Sequence, residues 1–146
     1  MDGGQSGVDE IGLIRQHLLG ARHMAGTLAA GWDVFELVRV LASAASDRAA
    51  DMYPAFTFAR GSAVHGRNAI AFAPSMPTDH ARSLEGLALP TDDVDEIADI
   101  LAGLASALSA RLREAAGFAT ADGDRIACEK AARDAGRISE LLAESK

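Results

Sequence analysis

Apolar residues recur three and four positions apart along most of this chain, which is the spacing of one face of an α-helix. The cleanest stripe is Val94, Ile97, Leu101, Leu104, Leu108 and Leu112. Pro90-Thr91-Asp92-Asp93 precedes it as a start signal, and Gly117 suits its end. A second stripe starts after Asp122 or Asp124, with Ile126, Ala131, Ala135, Ile138 and Leu142 read as inward. Together these segments predict a C-terminal antiparallel helical hairpin.

The N-terminal half is less regular. Ser6-Gly-Val-Asp9 offers a helix start, and Ile11, Ile14, Leu18, Ala21, Ala25 and Leu28 then share a face. Gly31 reads as the end of this helix. The next is expected from Trp32 or Asp33, with Phe35, Val38, Leu41, Ala42 and Ala45 inward and Ser46-Asp47 as a candidate interruption. Leu13, Leu19, Val34, Leu37 and Val40 are apolar residues beyond those stripes. They predict a second face to be covered, and a symmetric homodimer is the commonest way to cover one.

The stretch from Tyr53 to Pro77 holds four of the seven aromatic residues and a polar set, Arg60, Ser62, His65, Arg67 and Asn68. Read as two strands, Ala55–Ala59 and Ala69–Ala73, it would need a long connection between short, Ala-rich partners. Read as a helix, Met52, Phe56, Ala59, Ala63, Gly66, Ile70 and Ala73 fall at alternating steps of four and three. The helical reading fits better. Proline at position 54 either starts that helix or kinks a longer one. Pro74 and Pro77 end it, and residues 74–90 form the longest break in periodicity, with Thr78 able to cap a short helix through Leu84. The expected fold is therefore all-α: a compact bundle of about five helices, the third starting or kinked near Pro54. Residues 8–146 read as one helical domain behind a Gly-rich polar tail, 1–7, expected to be disordered.

Composition agrees. Hydrophobic residues make up 49% of the chain but aromatic ones only 5%, because much of the apolar content is alanine, which favours helices that pack closely. The net charge of −7 narrows the partners. The basic residues are scattered and outnumbered, which argues against nucleic acid and anionic membrane as main partners. No apolar run approaches the ~18 residues of a membrane span. The N-terminus lacks the pattern of a secretory leader, and Cys128 is the single cysteine. A cytoplasmic location is the expectation.

Candidate chemistry is sparse. Arg60 and Arg67 are seven apart and share a helical face, so their guanidinium groups are able to hold a carboxylate or phosphate, or equally to form surface ion pairs. His17 and His23 are six apart and point in different directions; with His65 and His80 they form no zinc pattern, so no metal and no cofactor is expected. Asp92, Asp93, Asp95, Glu96 and Asp99 read as favourable charge at a helix start rather than paired catalytic acids. Cys128 reads as a small buried thiol and Trp32 as a core anchor. No catalytic residue is assigned. The functional expectation is a non-enzymatic, self-associating interaction module. The alternative is a binding protein or enzyme for an anionic small molecule, with a pocket between the 53–72 helix and the 74–90 loop lined by Tyr53, Phe56, Arg60, Arg67 and His80.

Overall fold

A computed structural model describes residues 3–49, 54–80 and 83–144. It contains five α-helices: α1 (Gly3–Gly20), α2 (Met24–Ala49), α3 (Pro54–Ala71), α4 (Val94–Phe118) and α5 (Asp122–Glu144). No strand occurs among the described residues. The opening stretch of the aromatic segment is thus a helix that starts at Pro54, where the missing N–H costs nothing. Its Tyr53 and Met52 lie outside the described residues. Helical backbone also begins at Gly3, within the stretch read as a tail.

Helices α2, α3, α5 and α4 form a closed ring in that order, and α1 lies across α2 and α4. Side-chain pairs fix the directions. Ser46 meets Thr57 while Glu36 meets Arg67, so α2 and α3 are antiparallel. His65 meets Asp134 and Ser75 meets Asp124, so α3 and α5 are antiparallel. Asp92 at the mouth of α4 pairs with Arg48 at the end of α2, while Leu108 packs near Gly31. Hence α3 and α4 run the same way, and the chain must travel back along the bundle between them. The described residues 72–80 and 83–93 follow that crossover along α2. His80 meets Asp33, the Leu84 amide meets Glu36, and Glu85 meets Arg39. A long crossover is a recognised way to build an antiparallel bundle. The short helix expected from Thr78 to Leu84 does not form among the described residues, because this segment spans length rather than turning in place.

The core follows the predicted seams. Ile97, Leu101, Leu104, Leu108 and Leu112 of α4 are buried. On α3, Phe56, Ala59, Ala63, Gly66 and Ile70 all face inward, with Ala73 just beyond the helix. Gly66 has a specific reason: a Cβ there would enter the ring of Phe35. Asp93 caps α4, its carboxylate accepting from the amides of Asp95 and Glu96.

Several expectations need correction. The first break falls at residues 21–23, not at Gly31. His23 caps α2, its Nδ1 accepting from the Gly26 amide at 3.1 Å while its carbonyl accepts from Thr27 Oγ1. Gly31 instead lies inside α2, where a Cβ would stand 2.8 Å from Ile70 Cδ1. Helix α2 also runs through Ser46-Asp47 without a break. Val34, Leu37 and Val40 do not form an uncovered face, because α2 is the central helix and is buried on all sides. Ile126 faces solvent; it lies five residues before Ala131, a step of roughly 140° on a helix, and Ala127 and Cys128 take the inward positions.

Two measurements test this architecture. Far-ultraviolet circular dichroism should report at least ~60% helix, well above the average share. Leu104→Ala should cost ~2–4 kcal/mol in denaturant unfolding, since it leaves a cavity, whereas Asp95→Ala should cost under ~1 kcal/mol. Comparable losses from the two would place the core on the wrong face of α4.

Candidate functional site

The crossover has little secondary structure of its own, so buried polar groups on α2 must satisfy it. Glu36 is the centre of this arrangement, with only 1% of its surface exposed. Its carboxylate accepts two hydrogen bonds from Arg39, Nε at 3.0 Å and Nη2 at 2.7 Å. Arg67 of α3 donates from Nη1 at 2.6 Å, and the Leu84 amide donates at 3.2 Å. Arg39 extends the network outward to Glu85 at 2.9 Å. Burial by itself would raise the Glu36 pKa. The hydrogen bonds from Arg39, Leu84 and Arg67, with the charge of Arg39, outweigh it and bring the group from 4.5 to about 2. Arg39 is shifted upward, first by its bonds to Glu36 and then to Glu85. Helix α2, helix α3 and the crossover are therefore joined at one ionised carboxylate.

The residues singled out from the sequence separate into different environments. Phe56 is a fully buried core side chain. Arg60 is exposed on α3. Arg67 shares that helical face but turns inward to Glu36, with its guanidinium 5.3 Å from the Trp32 ring centroid. Its Nε is buried without a hydrogen-bond partner, and the Trp32 ring offsets part of that cost. Trp32 itself is half-buried. His80 belongs to another place again. Its Nε2 lies 3.0 Å from Oδ1 of Asp33, a carboxylate only 2% exposed, at one wall of a cleft of about 360 Å³. Gln16 and His17 of α1 line it too, together with small residues such as Gly20, Ala21, Ala29 and Ala30. Cys128 is buried, and desolvation first, then Asp124 and Glu129, raise its pKa to about 11. That thiol stays protonated and is a poor nucleophile.

Sequence reasoning did not single out Asp33, Glu36 or Asp124 as buried. Asp124 is 3% exposed and accepts from the Ser75 amide at 2.9 Å and its hydroxyl at 2.6 Å, tying the end of α3 to the start of α5. The signal for the α2 pair was present. A helix apolar on every side is a buried helix, so its charged residues are interior as well.

A different surface is open. Phe58 is 62% exposed and Phe72 is 88% exposed. Phe58 lies on the edge of α3 that faces α5, and Phe72 directly follows the end of α3; depressions between the two helices run together into one groove. One end is lined by Phe58, Gly61 and Arg137, the middle by His65, Asn68 and Asp134, and the other end by Phe72, Ile126 and Lys130. The His65–Asp134 contact of 2.8 Å bridges the two helices at mid-groove. Arg133 completes a line of cations along α5. Among the described residues no ion pair is recorded for Lys130, Arg133 or Arg137, and among those residues no group of three His, Cys, Asp or Glu is placed to hold a metal ion.

The Glu36 network makes a pH-dependent prediction. A carboxyl group whose pKa is lower folded than unfolded stabilises the fold above the unfolded value and loses that contribution as pH falls through the folded one. For Glu36 the window runs from 4.5 down to about 2. Glu36→Gln should therefore be most costly at neutral pH. Its difference from the parent should shrink by ~3 kcal/mol across that window in urea unfolding at stepped pH. A difference that stays constant with pH would mean that Glu36 is not held ionised.

Comparison with protein-family models, with curated proteins and with solved structures gives no match for this chain.

Proposed function

We propose that this chain is a non-enzymatic helical interaction module that also self-associates as a homodimer. One observation carries this reading: large apolar side chains stand half or more exposed and gather on two helical faces. The first is the groove between α3 and α5. The second is an exposed face of α1, where Val8 and Leu19 lie on the same side as Gly12 and are each about half exposed. Soluble domains seldom leave such groups together without a partner.

The α1 face suits a second copy. Gly12 lies mid-helix, where glycine costs about 1 kcal/mol relative to alanine. No neighbour explains it, since a Cβ there would meet nothing within 4 Å. Close approach of another helix would explain it. Two α1 helices crossing antiparallel at Gly12 lay Val8 and Leu19 of each copy against the other, an isologous contact that closes. Of the two helices from which the homodimer was expected, α1 keeps that role here and α2 loses it, because Val34, Leu37 and Val40 are internal.

The reading as a pocket for an anionic small molecule draws less support. Arg67 is neutralised by Glu36. The cleft that His80 lines also presents the Asp33 carboxylate, which repels an anion. Tyr53 lies outside the described residues and Phe56 lies in the core.

Light scattering at micromolar concentration should give the mass of a dimer. Val8→Glu combined with Leu19→Glu should return it to a monomer with unchanged circular dichroism, because both side chains are about half exposed in the single chain. A parent protein that stays monomeric over the micromolar range would remove the self-association reading.

A further inference from the structure

The groove between α3 and α5 carries information about its partner, and the inference here rests on the interaction reading above. Its two walls are stripes at helical spacing. On α3 and the residue directly after it they are Phe58, Gly61, His65, Asn68 and Phe72, at steps of three and four. On α5 they are Ile126, Lys130, Arg133 and Arg137, again at four and three. A depression bounded by two antiparallel helices is the natural seat of a third helix, whose side chains enter between the stripes. From Phe58 to Phe72 it extends for about 21 Å, the length of about 14 helical residues. Gly61 again stands mid-helix with nothing within 4 Å of a would-be Cβ, and it opens a notch beside Phe58.

The charge of the groove is opposite to that of the molecule. The whole chain carries −7, yet the α5 wall presents Lys130, Arg133 and Arg137. Asp134 is the carboxylate among the groove residues, and it is engaged by His65. The apolar contacts sit at the ends, Phe58 at one and Phe72 with Ile126 at the other, and the cations run between and beside them. A second copy fits this face poorly. Two such faces packed about a two-fold axis would bring the cations of one α5 against those of the other. From the groove geometry and its charge we infer that α3 and α5 bind an acidic amphipathic helix of a partner protein. The apolar stripe of that helix covers Phe58, Phe72 and Ile126, while its carboxylates lie along Lys130, Arg133 and Arg137. Carboxylate–guanidinium contacts at a partly solvated rim set partner choice and association rate more than total affinity. The prediction is therefore one of selectivity.

The test uses the full chain and three synthetic fluorescein-labelled helical peptides. They share one leucine stripe and differ only in flanking residues: glutamate, glutamine or lysine. Fluorescence anisotropy should show the glutamate peptide binding at least about tenfold more tightly than the glutamine peptide, with the lysine peptide weakest. Added salt should narrow that preference. Combining Lys130→Glu, Arg133→Glu and Arg137→Glu should invert the order of the glutamate and lysine peptides. Those side chains are exposed, so circular dichroism should not change. Phe72→Ala should weaken all three peptides alike. Equal binding of the three peptides to the parent protein would overturn the acidic selectivity and leave the contact face standing. Failure of all three to bind would overturn the contact face itself. Equal competition by a single-stranded oligonucleotide of matched charge would overturn the inference in favour of general polyanion attraction.

Discussion

The ionised carboxylate of Glu36 is the constraint on which the arrangement of this bundle depends. Helices α3 and α4 run in the same direction, so the chain between them must cross the length of the bundle. That crossover lies on α2, the central helix, and brings backbone polar groups against it. An apolar α2 surface would leave the Leu84 amide unpaired. A carboxylate there satisfies the amide but must itself be neutralised, because an unpaired buried charge costs several kcal/mol. Arg39 from one turn along and Arg67 from α3 supply the neutralisation. The same group that seats the crossover thus sets the register of α2 against α3. Asp33 with His80 and Asp124 with Ser75 repeat the device at smaller scale, each holding part of residues 72–93 to a helix.

Much of the fold was legible because the internal seams are simple. The α4 leucines and the α3 series from Phe56 to Ala73 obey one period without interruption, and every described member of the α3 series is buried. Failures occurred where one local signal had two physical meanings. Gly31 resembled a helix stop, but its missing side chain admits Ile70 and Leu108. The actual break uses His23, a residue seldom weighed as a cap. Ile126 was drawn into the α5 stripe by its chemistry, although a step of five places it on the far side. Val34, Leu37 and Val40 were read as surplus because the sequence does not say which helix is surrounded.

The candidate site was less legible for a related reason. Sequence spacing places Arg60 and Arg67 on one face but does not say what that face meets. Between them the edge of α3 passes from solvent to the side of α2, so two arginines two turns apart do different things. One is exposed, and the other completes a buried ion pair. In sequence the charged residues of α2 read as surface, because charge ordinarily marks it. Here full apolar coverage of the helix was the stronger signal.

The two edges of α3 explain why its aromatic side chains remain outside. Its inward face is built mostly of alanine and glycine, and Gly66 admits the Phe35 ring. Helices that approach this closely leave no interior volume for further aromatic rings. Phe58 and Phe72 are therefore fixed at the rim by the tightness of the core, not by a shortage of places in a loose one. On the α2 edge, the cation Arg67 is neutralised inside the chain. On the α5 edge, Lys130, Arg133 and Arg137 have no recorded ion pair among the described residues, and the aromatic rings have no cover. Arginine on α3 is thus a poor guide to binding. The informative contrast is between an edge whose charge and apolar surface are satisfied within the fold and one where both are left for another molecule.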